Sequence, residues 1–392
     1  MTAPHVAITD VRTYLVGAGL SNWVIVKVET DEGVHGVGDA TLEGQSAAVA
    51  ALIDELKKAH LIGKSVFEIE RFVSTVHAGS FWRGGPVLTS AVSGIEMAMW
   101  DAVGKLLGQS VFTLLGGRCH DTVRAYANAW YRSSDDPAQL ADEAAGVVER
   151  GYDALKLDPL GSAQGDFTEQ EFRNAVEIVR RIRERVGDDV DILVETHGRL
   201  LPRSARRFLL AIEEYRPYWY EEPVANELLD KLSDVCAGTS TRIALGERLY
   251  TKSAYRNLFR TTHVNTIQPD LGHVGGILEA RKIAAMADAE ACTVAPHTGN
   301  SPVITAASLQ LDAGIPNVLI QETFDDYDHP TLRTEMFSGL PSVVDGRFSV
   351  PDRPGLGVEF DESVCAKYPY ISNRYPRGLQ DRDWPRWCWQ ES

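Results

Sequence analysis

Residues 191–197 read Asp-Ile-Leu-Val-Glu-Thr-His, residues 218–223 read Tyr-Trp-Tyr-Glu-Glu-Pro, and residues 242–247 read Arg-Ile-Ala-Leu-Gly-Glu. Each is a short apolar run that stops at an acid. Such a run is too short for a helix and suits a strand buried on both faces, as in a parallel sheet. Glu195, Glu221 and Glu247 recur at intervals of 26 residues. That is the length of one strand–helix unit, so the three acids fall at similar height on successive strands. The same grammar continues outward. Upstream lie VRAYANAW (123–130) and DALKLDP (153–159); downstream lie VNTIQPD (264–270), CTVAPH (292–297) and NVLIQE (317–322). Between the second and third runs, Phe172, Val176, Val179, Ile182 and Val186 share one helical face, with Arg and Glu opposite. Eight strand–helix repeats predict an α/β chain closed into a (β/α)8 barrel of the TIM type. An open doubly wound sheet fits less well, because no glycine-rich phosphate loop follows the first strand.

The flanks read differently. His5–Leu15 and Trp23–Glu29 alternate as strands around the turn-rich VGAGLSN (16–22), and Asp31-Glu32-Gly33 is a hairpin turn signal. Helices follow; the last, Thr89–Leu107, is apolar nearly all round and is expected to be buried. After about Asp325 the regularity stops. DGRFSVPDRPGLGVEF (345–360) reads as a hairpin, and the tryptophans of WPRWCWQES (384–392) are expected to pack on the rest of the chain. The expected division is an α+β domain over 1–120, the barrel over 121–335 and a C-terminal segment over 336–392.

Composition bounds the function. With 44% apolar and 24% charged residues, the 392-residue chain is globular. Its longest apolar candidate, Ala47–Ile53, falls well short of the ~18–20 residues a membrane helix needs. The start lacks a basic stretch followed by an apolar one, so no signal peptide is evident. Five cysteines, odd in number and without a CxxC, argue against a disulfide framework or zinc cluster and fit a reducing, cytoplasmic compartment. A net charge of -16 argues against nucleic-acid binding. An anionic substrate stays compatible, since a metal ion and local lysines can reverse the field in one cleft.

Functional groups stand at the strand ends: Lys156 and Asp158, Glu195 and His197, Glu221, Glu247, Asp270, His297, Glu322. In a closed barrel these converge on one cavity. One acid at a strand end is explained by solvent. Three at equal spacing repel one another unless a cation sits among them, and hard oxygen ligands suit Mg2+. Glu222, adjacent to Glu221, is expected to face the other side. His197, two residues after Glu195, shares its side if the strand extends that far. His297 follows Asp270 by 27 residues, again one unit, so that Asp orients the imidazole. His263 and His273 read as structural.

The matching segments LKLDP (155–159), VETHGR (194–199), YEEPV (220–224), LGERL (245–249), IQPDLGHVGGI (267–277), APHTGNSP (295–302) and IQE (320–322) resemble the mandelate racemase subgroup of the enolase superfamily. So do ETDEGVHGVGDA (29–40), FWRGGPVLTSAVSGIEMAMWDAVGK (81–105), LLGG (114–117) and PGLGVEFDE (354–362). The resemblance covers nearly the whole chain. Through RGGP, HGR and PGLGVE it is nearest to galactonate dehydratase and related sugar-acid dehydratases. Enolase-superfamily sites use a metal to stabilise the enediolate formed when a Lys or His removes the proton beside a carboxylate.

The resemblance implies that Glu195, Glu221 and Glu247 bind Mg2+, and that His297, paired with Asp270, is the general base at C2. It implies that His197 protonates the leaving 3-hydroxyl, and that Lys156 and Glu322 contact the substrate carboxylate. Glu322 would have to be protonated to donate a hydrogen bond. The N-terminal domain and C-terminal segment would cap the barrel mouth, with loops near Gly17–Asn22 and Arg83 helping to set specificity. Two departures stand out. Where racemases of the subgroup carry Lys-x-Lys, this chain has Lys156-Leu157-Asp158, which argues against racemisation. The first metal ligand, often Asp, is Glu195. The expected activity is an aldonate dehydratase giving a 2-keto-3-deoxy acid. The alternatives are an epimerase or cycloisomerase of a sugar acid or its lactone, or a non-catalytic relative. The expected partners are a small sugar acid and further copies of the chain, an octamer being one arrangement, with no nucleic acid and no membrane.

Overall fold

The computed structural model describes residues 5–18, 21–131 and 136–371. It opens with an antiparallel sheet of β1 (Ile8–Ala18), β2 (Ser21–Thr30) and β3 (His35–Asp39). Most of the expected 16–22 loop is strand: the ladder runs on through Gly17↔Asn22 and Ala18↔Ser21, and residues 19–20 lie outside the described set. The C-terminal chain supports this extension. Asn22 exchanges hydrogen bonds with the Ile371 backbone at 2.8 and 2.9 Å, and a Cβ on Gly17 would meet Pro369 O at 2.4 Å.

Three helices, α1 (Ser46–Leu56), α2 (Ile69–Gly79) and α3 (Pro86–Leu107), cover this sheet. Buried residues run almost without break along α3 from Thr89 to Gly104, as its all-round apolar sequence predicts. Its close seat on β3 depends on two glycines. A Cβ at Gly36 would lie 2.0 Å from Ala98 O, and one at Gly38 2.0 Å from Gly94 O. We expect Gly38→Ala to cost about 1–3 kcal/mol through overpacking, read as a lowered thermal midpoint. An unchanged midpoint would show that the helix can retreat freely.

The barrel follows: β4 (Thr122–Ala127), β5 (Ala154–Leu157), β6 (Asp191–Glu195), β7 (Trp219–Glu221), β8 (Arg242–Leu245), β9 (Thr266–Ile267), β10 (Thr293–Val294) and β11 (Gln321–Thr323). Neighbours from β4 to β10 pair in parallel, and β11 pairs with β4. The parallel bridge Val294↔Val318 closes the ring. Period-2 alternation sorts each strand. Tyr126, Ala154, Leu193, Trp219, Ala244, Ala295 and Ile320 fill the interior, whereas Leu155, Val194, Tyr220, Ile243 and Val294 face the helices. The predicted helix is Glu169–Val186, started by a Thr168/Glu171 capping box. Its fully buried face is Ala175, Ile178, Val179 and Ile182, with Phe172, Val176 and Val186 at the margins.

The 345–360 hairpin is divided in the structure. β13 (Val343–Val344) and β14 (Arg347–Ser349) turn at Asp345-Gly346, and β14 pairs antiparallel with β4. Glu359–Phe360, our β15, pairs instead with β12 (Phe337–Ser338). Between them the chain is drawn onto α3, where Leu356 N donates to Asp101 Oδ1 at 2.8 Å. The tryptophans of 384–392 lie outside the described residues.

Three buried carboxylates fasten the N-terminal domain. Asp101 takes Leu356 N. Asp39 Oδ2 accepts Ser301 N at 3.0 Å, and Glu96 accepts Ile277 N and Leu278 N at 2.8 and 2.9 Å. Ile277 and Leu278 open the helix after β9, Ser301 caps the helix after β10, and Leu356 lies in the C-terminal segment. No helix among the described residues is long and apolar enough to cross a membrane.

Candidate metal centre and active site

Glu195 ends β6 and Glu221 ends β7, in register as Cα partners. Glu247 lies two residues beyond β8, past Gly246. One carboxylate oxygen from each of the three lies within 4.8 Å of the others. Glu222 does not join them: it sits at φ +40° and is clasped by Arg248 at 3.0 and 2.5 Å.

The donor set fits a hard divalent cation. Glu195 Oε2 is buried and has no hydrogen-bond partner among the described residues; Lys156 Nζ stands 3.8 Å off. Burial and the Glu221 charge push the Glu195 carboxyl well above the usual range. Burial acts the same way on Glu221, but Lys156 outweighs it and holds that carboxyl low. Glu247 is likewise held at about 2, with burial overcome mainly by His297 and Lys156. Lys156 thus serves Glu221, and His297, Lys156 and Arg248 serve Glu247, leaving Glu195 the acid with least positive charge to offset its burial.

Lys156, on β5 and nearly inaccessible, bridges Glu221 Oε1 and Glu322 Oε1 at 2.8 Å each. Glu322, on β11, also accepts Asn128 Nδ2 at 2.7 Å and Thr298 N at 2.9 Å. These three groups all donate to Glu322, two to Oε1 and one to Oε2.

Asp270 and His297 lie three residues beyond β9 and β10 and are joined by a parallel bridge. His297 Nδ1 meets Asp270 Oδ2 at 2.6 Å, and Gly272 N donates to Oδ1 at 2.6 Å. His297 Nε2 faces the cluster, 3.3 Å from Glu247 Oε2 and 3.8 Å from Glu322 Oε2. Burial alone would lower its pKa, but the charges of Glu247, Glu322 and Asp270 push it up to about 10. Charge supplied by a cation at the three acids would offset that field. His273, read as structural, packs beside this pair. Its Nδ1 meets Ser90 Oγ of α3 at 2.9 Å, and its Nε2 is 3.9 Å from Asp270.

His197 is not on a strand. β6 stops at Glu195, and His197 sits in a turn at φ +48° whose amide is taken by Glu195 Oε1. Its Nδ1 meets Asp158 Oδ2 at 2.7 Å. Spacing did not reveal this second His–Asp pair, although Asp158 and the nearby Arg199 were both in view. β6 and β10 are four steps apart in an eight-strand ring, so the two imidazoles stand on opposite sides of the carboxylates. Arg83, in the segment between α2 and α3, is exposed and turns back on the end of α2, donating to Ala78 O at 3.3 Å.

Comparison with known proteins agrees with this architecture. Residues 3–116 match the family described as mandelate racemase/muconate lactonizing enzyme, N-terminal domain, and residues 139–364 match the enolase C-terminal domain-like family. The chain is 35% identical over 356 residues to D-gluconate dehydratase of Thermoproteus tenax, covering 91% of this chain and 71% of that protein. The crystal structure of mandelate racemase/muconate lactonizing enzyme from Sulfitobacter sp. superposes with a TM-score of 0.89 at 32% identity, over 95% of this chain and 97% of that one. Its counterpart from Jannaschia sp. CCS1 gives 0.87 at 33% identity, over 95% and 100%.

Proposed function

We propose that this chain, which belongs to the mandelate racemase/muconate lactonizing enzyme family of the enolase superfamily, is a Mg2+-dependent dehydratase of aldonic acids. It is an enzyme, a hydro-lyase. The observation that carries the reading is the pair of aspartate-tethered imidazoles on opposite sides of three convergent glutamates. The relative's action on D-gluconate, stated in its name, supports the substrate class.

Glu195, Glu221 and Glu247 would hold the ion. Bound there, it supplies positive charge to the substrate carboxylate as negative charge builds during deprotonation. His297 Nε2 takes the C2 proton, and Asp270 holds the ring with its other nitrogen protonated. The C2 electron pair forms the C2=C3 bond as the C3–O bond breaks. His197 gives its proton to the departing 3-hydroxyl, which leaves as water. The enol then loses the proton of its 2-hydroxyl and takes one at C3 to give the 2-keto-3-deoxy acid. Lys156, held by two carboxylates, places a fixed positive charge beside the substrate carboxylate. The N-terminal domain, fastened to the starts of the helices after β9 and β10, would cap the mouth. The direct test is to screen aldonic and aldaric acids with Mg2+ for 2-keto acid formation; no product from any of them would overturn the reading.

Two predictions follow from the role assignments. His197→Asn slows dehydration by about 10²–10⁴-fold, the worth of a general acid, yet still exchanges C2 with solvent deuterium. Loss of exchange with metal and substrate still bound would reassign His197. The second concerns stereochemistry. With Asp158 in place of a lysine, the base on the R face is His297. Substrates R at C2, such as D-gluconate, are expected to exceed D-mannonate by at least ~10²-fold in kcat/KM, about 2.7 kcal/mol. Equal turnover of D-mannonate would show a second competent base.

The His197–Asp158 pair gives the epimerase reading its one specific support, since a tethered imidazole on the far face can also accept a proton. Accumulation of the C2 epimer during turnover would favour it.

A further inference from the structure

We infer that Asp158, itself held by Arg199, is a positioning residue that aims His197 at the leaving group. The inference rests on the proposed role of His197 as general acid and extends it to residues that have no assigned part in the reaction.

The need for a tether is local. His197 lies past the end of β6, in a left-handed turn, so no strand ladder fixes its ring. Asp158 stands just past β5, the neighbouring strand, and is almost wholly buried. Its carboxylate is itself oriented. Arg199 Nη2 contacts both oxygens, at 2.6 and 2.5 Å, and Leu160 N donates to Oδ1 at 2.9 Å. Arg199 is anchored in turn by the Gly161 and Ala163 carbonyls at 3.0 and 3.3 Å. A carboxylate fixed this way accepts from His197 Nδ1 and so fixes the plane of the ring; acting as an acid the ring carries protons on both nitrogens, and the Nδ1 proton stays with Asp158 while Nε2 gives up the other.

The arrangement repeats the His297 site. In each, an aspartate beyond one strand takes an amide two residues on with Oδ1 and the histidine beyond the next strand with Oδ2. The two copies are half a barrel turn apart. The chain thus builds the same device twice, once for the proposed base and once for the proposed acid. Asp158 therefore has a positive function, beyond being the residue that replaces a lysine.

The test separates aiming from bracing. With D-gluconate, the 3-hydroxyl needs a proton to leave. With 3-deoxy-3-fluoro-D-gluconate, the C2 proton goes to His297, C2=C3 forms, and the C3–F bond breaks to release fluoride, which needs no proton. Asp158→Ala is expected to slow dehydration of D-gluconate by about 10²-fold, within the range for general acid loss. C2 deuterium exchange and fluoride release should stay near wild type. Asp158→Asn, which keeps the shape and one acceptor oxygen, should recover much of the loss and serves if the alanine variant does not fold. Equal losses on both substrates, or exchange falling in step with dehydration, would overturn the inference. The His197 tautomer, read from side-chain 15N shifts with His197→Asn for assignment, needs no turnover. It should favour Nδ1–H in wild type and lose that preference in Asp158→Ala. An unchanged tautomer overturns the inference; the expected change in a chain that dehydrates no aldonate overturns only the functional reading.

Discussion

Glu221→Gln and Glu247→Gln are each expected to lower kcat by about 10³-fold or more, because a bound cation supplies several kcal/mol of charge stabilisation. The fold, read by circular dichroism, should persist, and Mg2+ binding measured calorimetrically should weaken in parallel. Excess chelator should have the same effect on wild type; full activity in chelator would remove the metal from the scheme. The structure adds a counterpart for Glu195. One oxygen of its buried carboxyl, Oε2, lacks a hydrogen-bond partner among the described residues, and the group is pushed up by burial and by Glu221. Glu195→Gln is therefore expected to raise the thermal midpoint in chelator while abolishing activity, a trade of stability for function at one side chain. A lowered midpoint in chelator would show that the three acids do not strain the metal-free fold.

His297→Asn is expected to stop C2 deuterium exchange and dehydration together, by about 10²–10⁴-fold or more, since proton removal precedes everything else. The pairing of the two readouts is the informative part. Asp270 holds Nδ1 at 2.6 Å and leaves Nε2 as the cavity-facing nitrogen, 3.3 Å from Glu247. If exchange continues in His297→Asn while dehydration stops, the base lies elsewhere, and His197 is the group positioned to serve.

The barrel and its carboxylate cluster were legible because they depend on period. A 26-residue repeat puts Glu195 and Glu221 in register, and Glu247 follows one residue after Gly246 breaks the strand. What escaped depends on contacts through space. His197 would share the side of Glu195 only if the strand reached it, and instead Glu195 draws its amide into a turn. Asp158 looked like a lost lysine until its neighbours were known. Around Glu322 the donors Lys156, Asn128 and Thr298 converge from separate parts of the chain, which spacing does not foretell. The 345–360 hairpin failed for a similar reason: Asp101, far away in sequence, pulls Leu356 out of the ladder.

The latch between the two larger parts has a consequence for how such a molecule can change. Asp39 and Glu96 grip the barrel through the amides of Ser301, Ile277 and Leu278, and a main-chain amide is the same whatever side chain it carries. The grip is blind to side-chain identity at those three positions, so hydrogen bonding to the cap does not by itself fix which residues stand there. The adjacent Gly276 is constrained, because a Cβ there would lie 2.1 Å from Glu96 Oε2. The same latch makes the halves inseparable. Cut free, the barrel would leave those amides without their buried acceptors, and in the cap Asp39 would lose Ser301 while keeping Thr41 N, and Glu96 would lose both its amides while keeping Trp100 Nε1.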